Sequence, residues 1–312
     1  MESKIDFSIN NRILITGGGG YLGSKLSEKL VGSNALIFLV DKNFNNQSIG
    51  LSQLHNNVKL VHLDLTQKDL VAGVITDINP DYIFHFAALL NRERNFAFYP
   101  NLYEVNVGGT FNLLEALRDI PYLGLYYSSS SEVYGIKNPA PFHEEQIPAP
   151  ASPYSLSKVM AEQLIKTYSD IHQKPFTILR IFNFYGAGMP ENFFINQLIA
   201  TLKSNKQFDM TGGEQIRDFI YIEDLLNAII GISKSEPCRG EIINICSGKG
   251  IKLKEIATEI AQQMGKIHLL KIGVLPYRVN EVWEMVGNSS KLSRFGIDLS
   301  NTDLHFNTSN FI

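Results

Sequence analysis

Tyr154 and Lys158 stand four residues apart in Tyr154-Ser155-Leu156-Ser157-Lys158, so on a helix a phenol and an ammonium share one face. A phenol ordinarily ionises near pH 10, and an adjacent cation favours the phenolate enough for it to take a hydroxyl proton near neutrality. The spacing alone is common: among 13 tyrosines a second copy, Tyr21 to Lys25, also occurs. Position distinguishes the later copy. It follows a segment that closes on Ser128-Ser129-Ser130-Ser131-Glu132-Val133-Tyr134-Gly135, where a serine hydroxyl can bond the substrate oxygen that the phenol deprotonates. The bland alternative is a solvated helical face after a serine-rich turn.

A second constellation lies near the N-terminus. Thr16-Gly17-Gly18-Gly19-Gly20-Tyr21-Leu22-Gly23 parses as G-x-x-G-x-x-G on Gly17, Gly20 and Gly23, or as G-x-G-x-x-G on Gly18, Gly20 and Gly23. Both serve one end: residues without Cβ let the backbone turn tightly against a pyrophosphate, while the next helix aims its free N–H groups at the charge. A strand before and a helix after are the context that separates this motif from a flexible loop. Asp41 follows about 20 residues on, where a carboxylate accepts bonds from ribose hydroxyls and repels a 2′-phosphate. That favours NAD over NADP, with Lys42 next door weakening the repulsion. Asp64, at the end of a third apolar run, is placed to hold an adenine amine or to be a solvated strand end.

These groups need a scaffold. Short β-rich runs at Arg12 to Thr16, Ala35 to Val40, Val58 to His62, Tyr82 to His85, Gly124 to Ser128 and Phe176 to Ile181 alternate with helical patterns at Leu22 to Val31, Tyr103 to Leu117 and Pro153 to Ile171. Alternation of this kind predicts parallel βαβ units, and continuously apolar runs such as Ala-Leu-Ile-Phe-Leu-Val predict strands covered on both faces. Ser152-Pro153 reads as an N-cap and first turn. Beyond Arg180 the pattern loosens into a loop at Asn183 to Pro190, a helix at Asn192 to Lys203 and a turn at Thr211 to Gly213. Phe219 to Ile222, Asp224 to Ile232 and Glu241 to Cys246 are expected to return to the main sheet.

The 312 residues suffice for about two domains. Lys+Arg 28 against Asp+Glu 31 gives 28 − 31 = −3, which offers no field for a polyanion, so nucleic acid is not an expected partner. Hydrophobic residues at 44% and charged ones at 19% are the composition of a compact soluble protein. The longest apolar runs, Ala35 to Val40 and Tyr82 to Leu90, fall short of a membrane span, and Met-Glu-Ser-Lys-Ile-Asp lacks the apolar stretch of a signal peptide. Cys238 and Cys246 make neither a disulfide framework nor a four-ligand zinc site. A cytoplasmic protein without a metal is expected.

Taken with Phe84-His85-Phe86-Ala87-Ala88, Asn106-Val107-Gly108-Gly109-Thr110, Arg180-Ile181-Phe182-Asn183-Phe184-Tyr185-Gly186 and Gln215-Ile216-Arg217-Asp218-Phe219-Ile220-Tyr221, the motifs above span nearly the whole chain. Together they resemble the extended short-chain dehydrogenase/reductase superfamily, in its NAD-dependent epimerase/dehydratase branch acting on nucleotide-linked sugars. The resemblance implies a Rossmann-like α/β fold, a doubly wound parallel sheet over residues 1–182 with returning segments at about 217–246. A smaller C-terminal substrate-binding lobe, mainly 183–312, is implied with it. It implies NAD held by Gly17, Gly20, Tyr21, Leu22, Gly23, Asp41, Asp64, Leu65, Ala87, Asn106 and Ser128, with Tyr154 and Lys158 at the nicotinamide end. Ser130, Tyr154 and Lys158 would be catalytic, Glu132 would join them in a dehydratase or decarboxylase, and His85 would be a packed strand-end residue. Ser130, Asn183 and Asn192 would meet the sugar or its pyrophosphate, and Arg217 and Arg278 would grip the phosphates, for which planar guanidinium forks are suited.

The implied reaction opens by oxidising a hexose, usually at carbon 4. The serine run fits many 4-epimerases, and Ser131-Glu132 also fits some dehydratases and decarboxylases. Leu275-Pro276-Tyr277-Arg278-Val279-Asn280-Glu281 departs from the Arg-x-Gly-Asp/Glu loop of many epimerases and is similar to 4-keto-6-deoxyhexose reductases. Asp41 favours the UDP-hexose 4-epimerase; an NAD(P)-binding regulator would typically lack the tyrosine or the lysine. A homodimer is implied through the apolar faces of Tyr103 to Leu117 and Pro153 to Ile171.

Overall fold

The computed structural model describes residues 7, 10–91 and 93–299. Its first elements alternate as the sequence predicts: β1 (Arg12–Thr16), α1 (Tyr21–Leu30), β2 (Leu36–Asp41), α2 (Asn46–Leu54), β3 (Val58–His62), α3 (Lys68–Ile78) and β4 (Tyr82–His85). There follow α4 (Tyr99–Leu102), a π-helical stretch (Tyr103–Gly108), α5 (Gly109–Leu117), β5 (Gly124–Ser130), α6 (Pro153–His172) and β6 (Phe176–Ile181). The chain continues through β7 (Asn183–Tyr185), α7 (Phe194–Lys203), β8 (Phe208–Met210), β9 (Ile216–Tyr221), α8 (Ile222–Lys234) and β10 (Glu241–Ile245). It ends, among the described residues, with β11 (Gly250–Lys252), α9 (Leu253–Gln263), β12 (Leu270–Ile272), β13 (Glu284–Met285) and α10 (Ser290–Arg294).

Seven strands form one sheet in the order β10-β6-β5-β4-β1-β2-β3, with β1 parallel to both β2 and β4. The chain therefore winds outward in both directions from β1, the doubly wound, Rossmann-like arrangement. The point where strand order reverses lies between β1 and β4, and the C-terminal strand ends there are where open α/β sheets take ligands. Leu14, Val40, Ile83, Leu125 and Ile178 of the strands pack against Val71, Ile75, Leu113, Leu117 and Ile165 of the helices. This burial makes the strand segments continuously apolar.

Two compact units emerge. The first holds residues up to Val133, Pro150–Arg180 and Ser233–Ile243; the second holds Tyr134–Ala149, Ile181–Ile232 and the chain from Asn244 onward. The second has its own core, in which Leu198 and Leu202 of α7 meet Ile256 and Ile260 of α9 and Phe219 of β9.

Three expectations need correction. Of the three segments expected to rejoin the main sheet, only Glu241–Ile245 is a strand of it. Phe219 to Ile222 lies at the end of β9, which pairs with β7, β11 and β13 in a second sheet, and the start of α8; Asp224 to Ile232 lies within α8. The apolar residues of β9 satisfy either sheet, so periodicity could not choose. The presumed loop after Ile181 contains β7, paired to β9 from Asn183↔Phe219 to Tyr185↔Tyr221. The helix expected from Tyr103 starts earlier, at Tyr99, and widens into a π turn that carries Asn106. There the Asn106 amide accepts from Leu89 N–H at 2.7 Å and donates to Leu89 O at 3.1 Å, tying the widened turn to the chain after β4. Gly109 closes it where a Cβ would stand 3.2 Å from Leu65 Cβ.

Candidate active site

The glycine loop is built on close approaches. Gly17 has φ +73°, and a Cβ there would lie 2.7 Å from Ala87 N; at Gly23 it would lie 2.2 Å from Gly17 O. Gly20 has more room, 3.2 Å from Gly17 O, and caps α1. Gly20 makes no side-chain cap bond to that helix and no acid stands in its first turn, so the positive end of the α1 dipole faces the glycine loop without an opposing carboxylate of its own. Asp41, at the end of β2, shapes the same loop: its carboxylate accepts from Gly19 N–H and Asn43 N–H, each at 3.1 Å. A tight glycine loop at a helix start and a carboxylate at the end of β2 thus coexist in one unit, a donor set that fits NAD. Asp64 forms a local turn instead, accepting from Thr66 N–H at 3.0 Å and Thr66 Oγ1 at 2.9 Å, and the backbone bond foremost holds its carboxyl below the usual range. Leu65 is buried, its carbonyl held by Asn112 Nδ2 at 2.8 Å.

A buried polar chain runs beneath this cradle. Thr110 Oγ1 donates to Asn106 O at 2.6 Å, so it accepts from His85 Nε2–H at 2.9 Å; His85 Nδ1 then accepts from Thr16 Oγ1 at 2.7 Å. Thr16 Oγ1 in turn accepts from Ala87 N–H at 3.3 Å. Burial first, and Lys158 second, push His85 down to about 3, so the ring is neutral and structural, as its strand-end position implies. Asn106 also donates to Ser157 Oγ at 2.9 Å, and Ser157 Oγ to Tyr154 O at 2.7 Å. Asn106 therefore acts on the helix that carries Tyr154.

Helix α6 presents the phenol and ammonium on one face. Ser152 caps it, accepting from Ser155 N–H at 3.1 Å, and Pro153 fills the first turn. Lys158 is buried, donates to Ser128 O at 2.7 Å, and lies 4.7 Å from the Tyr127 ring centre and 5.9 Å from that of Tyr154. Burial pushes its ammonium down to about 7, opposed by Glu162. Ser128 Oγ donates to His85 O at 3.3 Å. Two residues on, Ser130 Oγ accepts from Glu132 N–H at 3.2 Å. Glu132 accepts a long bond, 3.5 Å, from Ser152 Oγ. The other Tyr-x-x-x-Lys copy is spent differently: Lys25 pairs with Glu28 at 3.0 Å on the surface of α1.

In the second unit, Arg217 on β9 donates to Ile216 O at 2.9 Å and to Glu281 Oε1 at 3.1 Å, in a pair only 14% and 10% exposed. Asn183 Nδ2 reaches Asp218 O at 3.4 Å. Asn192 and Arg278 are exposed, the former just ahead of α7.

Three functional-site supports escaped sequence reasoning. Asp218, fully buried, accepts from Ser247 N–H and Gly248 N–H at 2.9 Å, Ser247 Oγ at 2.6 Å and Gly287 N–H at 3.3 Å, fixing the loop after β10. Glu281 occupies the Arg217 guanidinium. Glu162 and Arg180, both within quoted segments or beside them, form a buried ion pair. Asp218 and Arg180 lay inside the quoted motifs, but no spacing rule names a partner tens of residues away. Both cysteines are buried and neither is in a disulfide. Among the described residues there is no group of three His, Cys, Asp or Glu able to hold a metal ion, and no helix long and apolar enough to cross a membrane.

Comparison with known proteins adds the following. Residues 13–246 match the model of the NAD dependent epimerase/dehydratase family. A putative UDP-glucose 4-epimerase from Methanocaldococcus jannaschii is 32% identical over 81% of this chain and 82% of its own length. GDP-6-deoxy-D-talose 4-dehydrogenase from Aggregatibacter actinomycetemcomitans is 29% identical over 90% of each chain. Among solved structures, UDP-N-acetylglucosamine 4-epimerase from Methanobrevibacter ruminantium, in complex with UDP-N-acetylmuramic acid, superposes with a TM-score of 0.82 at 25% identity and covers 92% of each chain.

Proposed function

The chain belongs to the NAD-dependent epimerase/dehydratase family of sugar-nucleotide enzymes, and we propose that within it the protein is a 4-epimerase of a UDP-linked hexose. NAD, its cofactor, would supply the acceptor for hydride from carbon 4 and the donor that returns it. Tyr154 takes the proton of the 4-hydroxyl and later gives one back. Lys158, anchored on Ser128 O, favours the phenolate and would hold the nicotinamide ribose. Ser130 donates its proton to the same sugar oxygen. Arg217 and Arg278 take the pyrophosphate, and Asn183 and Asn192 the sugar side of it.

The observation that supports the choice of an epimerase is Asp41, whose carboxylate at the end of β2 is fixed by Gly19 and Asn43 beside the glycine loop, where it would meet the adenosine ribose. It suits tight retention of unphosphorylated cofactor, which an enzyme that returns its own hydride requires. The protein is expected to purify with NAD bound and to interconvert a UDP-hexose and its 4-epimer with no net absorbance change at the NADH band. An empty cofactor site with stoichiometric NADPH consumption on a nucleotide-linked 4-keto-6-deoxyhexose refutes this. That outcome belongs to the second reading, a ketoreductase, which the likeness to the GDP-6-deoxy-D-talose enzyme favours.

The same proposal has the protein working in the cytoplasm as a homodimer. Tyr103, Phe111 and Ile171, 46%, 40% and 69% exposed on helical elements, supply apolar surface for a two-fold contact. Light scattering that finds only monomer at micromolar concentration refutes it.

A further inference from the structure

One turn beyond Lys158 on α6, the Glu162 side chain is fully buried and saturated by donors. Ser129 Oγ donates to Oε1, Arg180 Nε to Oε1 at 3.1 Å, and Arg180 Nη2 to Oε2 at 2.9 Å. Ser129 lies between Ser128, whose carbonyl takes the Lys158 ammonium, and Ser130. Successive residues of β5 are thus held by side chains one turn apart on α6, so the helix cannot slide along the strand without breaking both contacts. A buried ion pair is a poor source of stability, since well-packed apolar residues of similar volume often serve as well. What it does place is charge.

We infer that Glu162 is a positioning residue for the reaction: it fixes the end of β5 bearing Ser130 against α6, and its negative charge keeps Lys158 in the ammonium form that supports the Tyr154 phenolate. The inference rests on the reading of Ser130, Tyr154 and Lys158 as the reacting groups. Few other charges compete. From β5, Lys158 faces the Tyr127 ring, a phenol that burial keeps protonated. From β4 it faces His85, held neutral. On its own helix stand Tyr154 and Glu162, and β6 contributes Arg180 through Glu162. With Glu162 ionised the buried set carries one net positive charge; neutralising Glu162 leaves two, both disfavoured by burial.

The test follows Lys158 directly, through the Cε resonance of isotope-labelled lysine assigned by its loss in Lys158→Met, together with the pH profile of kcat/KM on UDP-glucose. In Glu162→Gln, the Lys158 midpoint and the alkaline limb of the profile both move to lower pH, by about one unit for loss of one close opposite charge. In Arg180→Gln, which leaves Glu162 uncompensated, the midpoint moves to higher pH. The double variant Glu162→Gln/Arg180→Gln restores the charge count and returns it toward the wild-type value, and Glu162→Asp retains it. A Glu162→Gln protein that melts earlier but titrates as wild type overturns the inference, as does an Arg180→Gln midpoint that falls or stays put. If Glu162→Gln does not fold, the opposite sign required of Arg180→Gln decides alone. Midpoints that move as stated, in a protein without turnover on UDP-glucose, uphold the role of Glu162 and count against the epimerase reading.

Discussion

His85 makes a sharp prediction because both ring nitrogens are committed. Nε2 donates to Thr110 and Nδ1 accepts from Thr16, so a second ring proton has to displace the Thr16 hydroxyl hydrogen while charging a fully buried site beside Lys158. In the unfolded chain the ring titrates at its ordinary value of 6.5, whereas in the fold it is pushed down to about 3. A depressed folded value contributes stability that is complete above 6.5 and is lost as pH falls toward 3. Between about pH 7 and pH 5 the loss integrates, at about 1.4 kcal/mol per unit once the unfolded ring is protonated, to about 2 kcal/mol. That is a sizeable part of the 5–15 kcal/mol or so that holds a typical protein folded. His85→Gln keeps a donor for Thr110 and an acceptor for Thr16 but cannot titrate. Urea unfolding of both proteins at the two pH values isolates the effect, because every other titrating group is common to them. The variant should start less stable, and the gap should close by about 2 kcal/mol on acidification. Parallel losses in the two proteins refute the account of a neutral, doubly committed histidine.

Other perturbations reach the remaining parts of the site. Tyr154→Phe should fold, keep NAD and lose about a hundredfold or more in turnover, measured as UDP-hexose interconversion; near-normal turnover removes the phenol from the chemistry. Gly23→Ala puts a Cβ 2.2 Å from Gly17 O and should cost about 1–3 kcal/mol by thermal melting as well as bound NAD, whereas Gly20→Ala, whose Cβ would meet the same oxygen at a tight but less severe 3.2 Å, should cost less. Glu281→Gln removes the carboxylate paired with the Arg217 guanidinium and should tighten binding of inorganic pyrophosphate by about tenfold or more in calorimetry, the strength of a charge-assisted bond. Unchanged pyrophosphate affinity would detach Arg217 from the phosphate role.

Features with a short spacing were legible in the chain. The glycine loop, Ser152-Pro153 and the Tyr154–Lys158 pair each sit within a few residues, and each has the strand or helix it was expected to have. Strands β1 to β6 were legible for a related reason, since burial on both faces leaves an uninterrupted apolar run. Helices α2 and α3 drew no notice. The start of α2 rests on a side-chain cap, Asn45 Oδ1 accepting from Ser48 N–H at 2.8 Å, rather than on an apolar stripe. The π turn at Asn106 was hidden because the partner that its amide bonds, Leu89, lies 17 residues away. Asp218, Glu281 and the Glu162–Arg180 pair were hidden likewise: each is an ordinary charged residue until the fold supplies its partner.

The bond from Gly19 N–H to the Asp41 carboxylate bears on how cofactor choice can change. On the proposed reading one carboxylate would both repel a 2′-phosphate and pin the middle of the glycine loop, at a residue whose Cβ would collide with Asn43 O. Replacing Asp41 with a neutral or basic residue to admit NADP would also unfasten the loop that cradles the pyrophosphate. Retargeting this enzyme from one dinucleotide to the other is therefore not a single-step exchange. A second change that restores an acceptor for the Gly19 amide has to come first, or the intermediate variant binds both cofactors poorly.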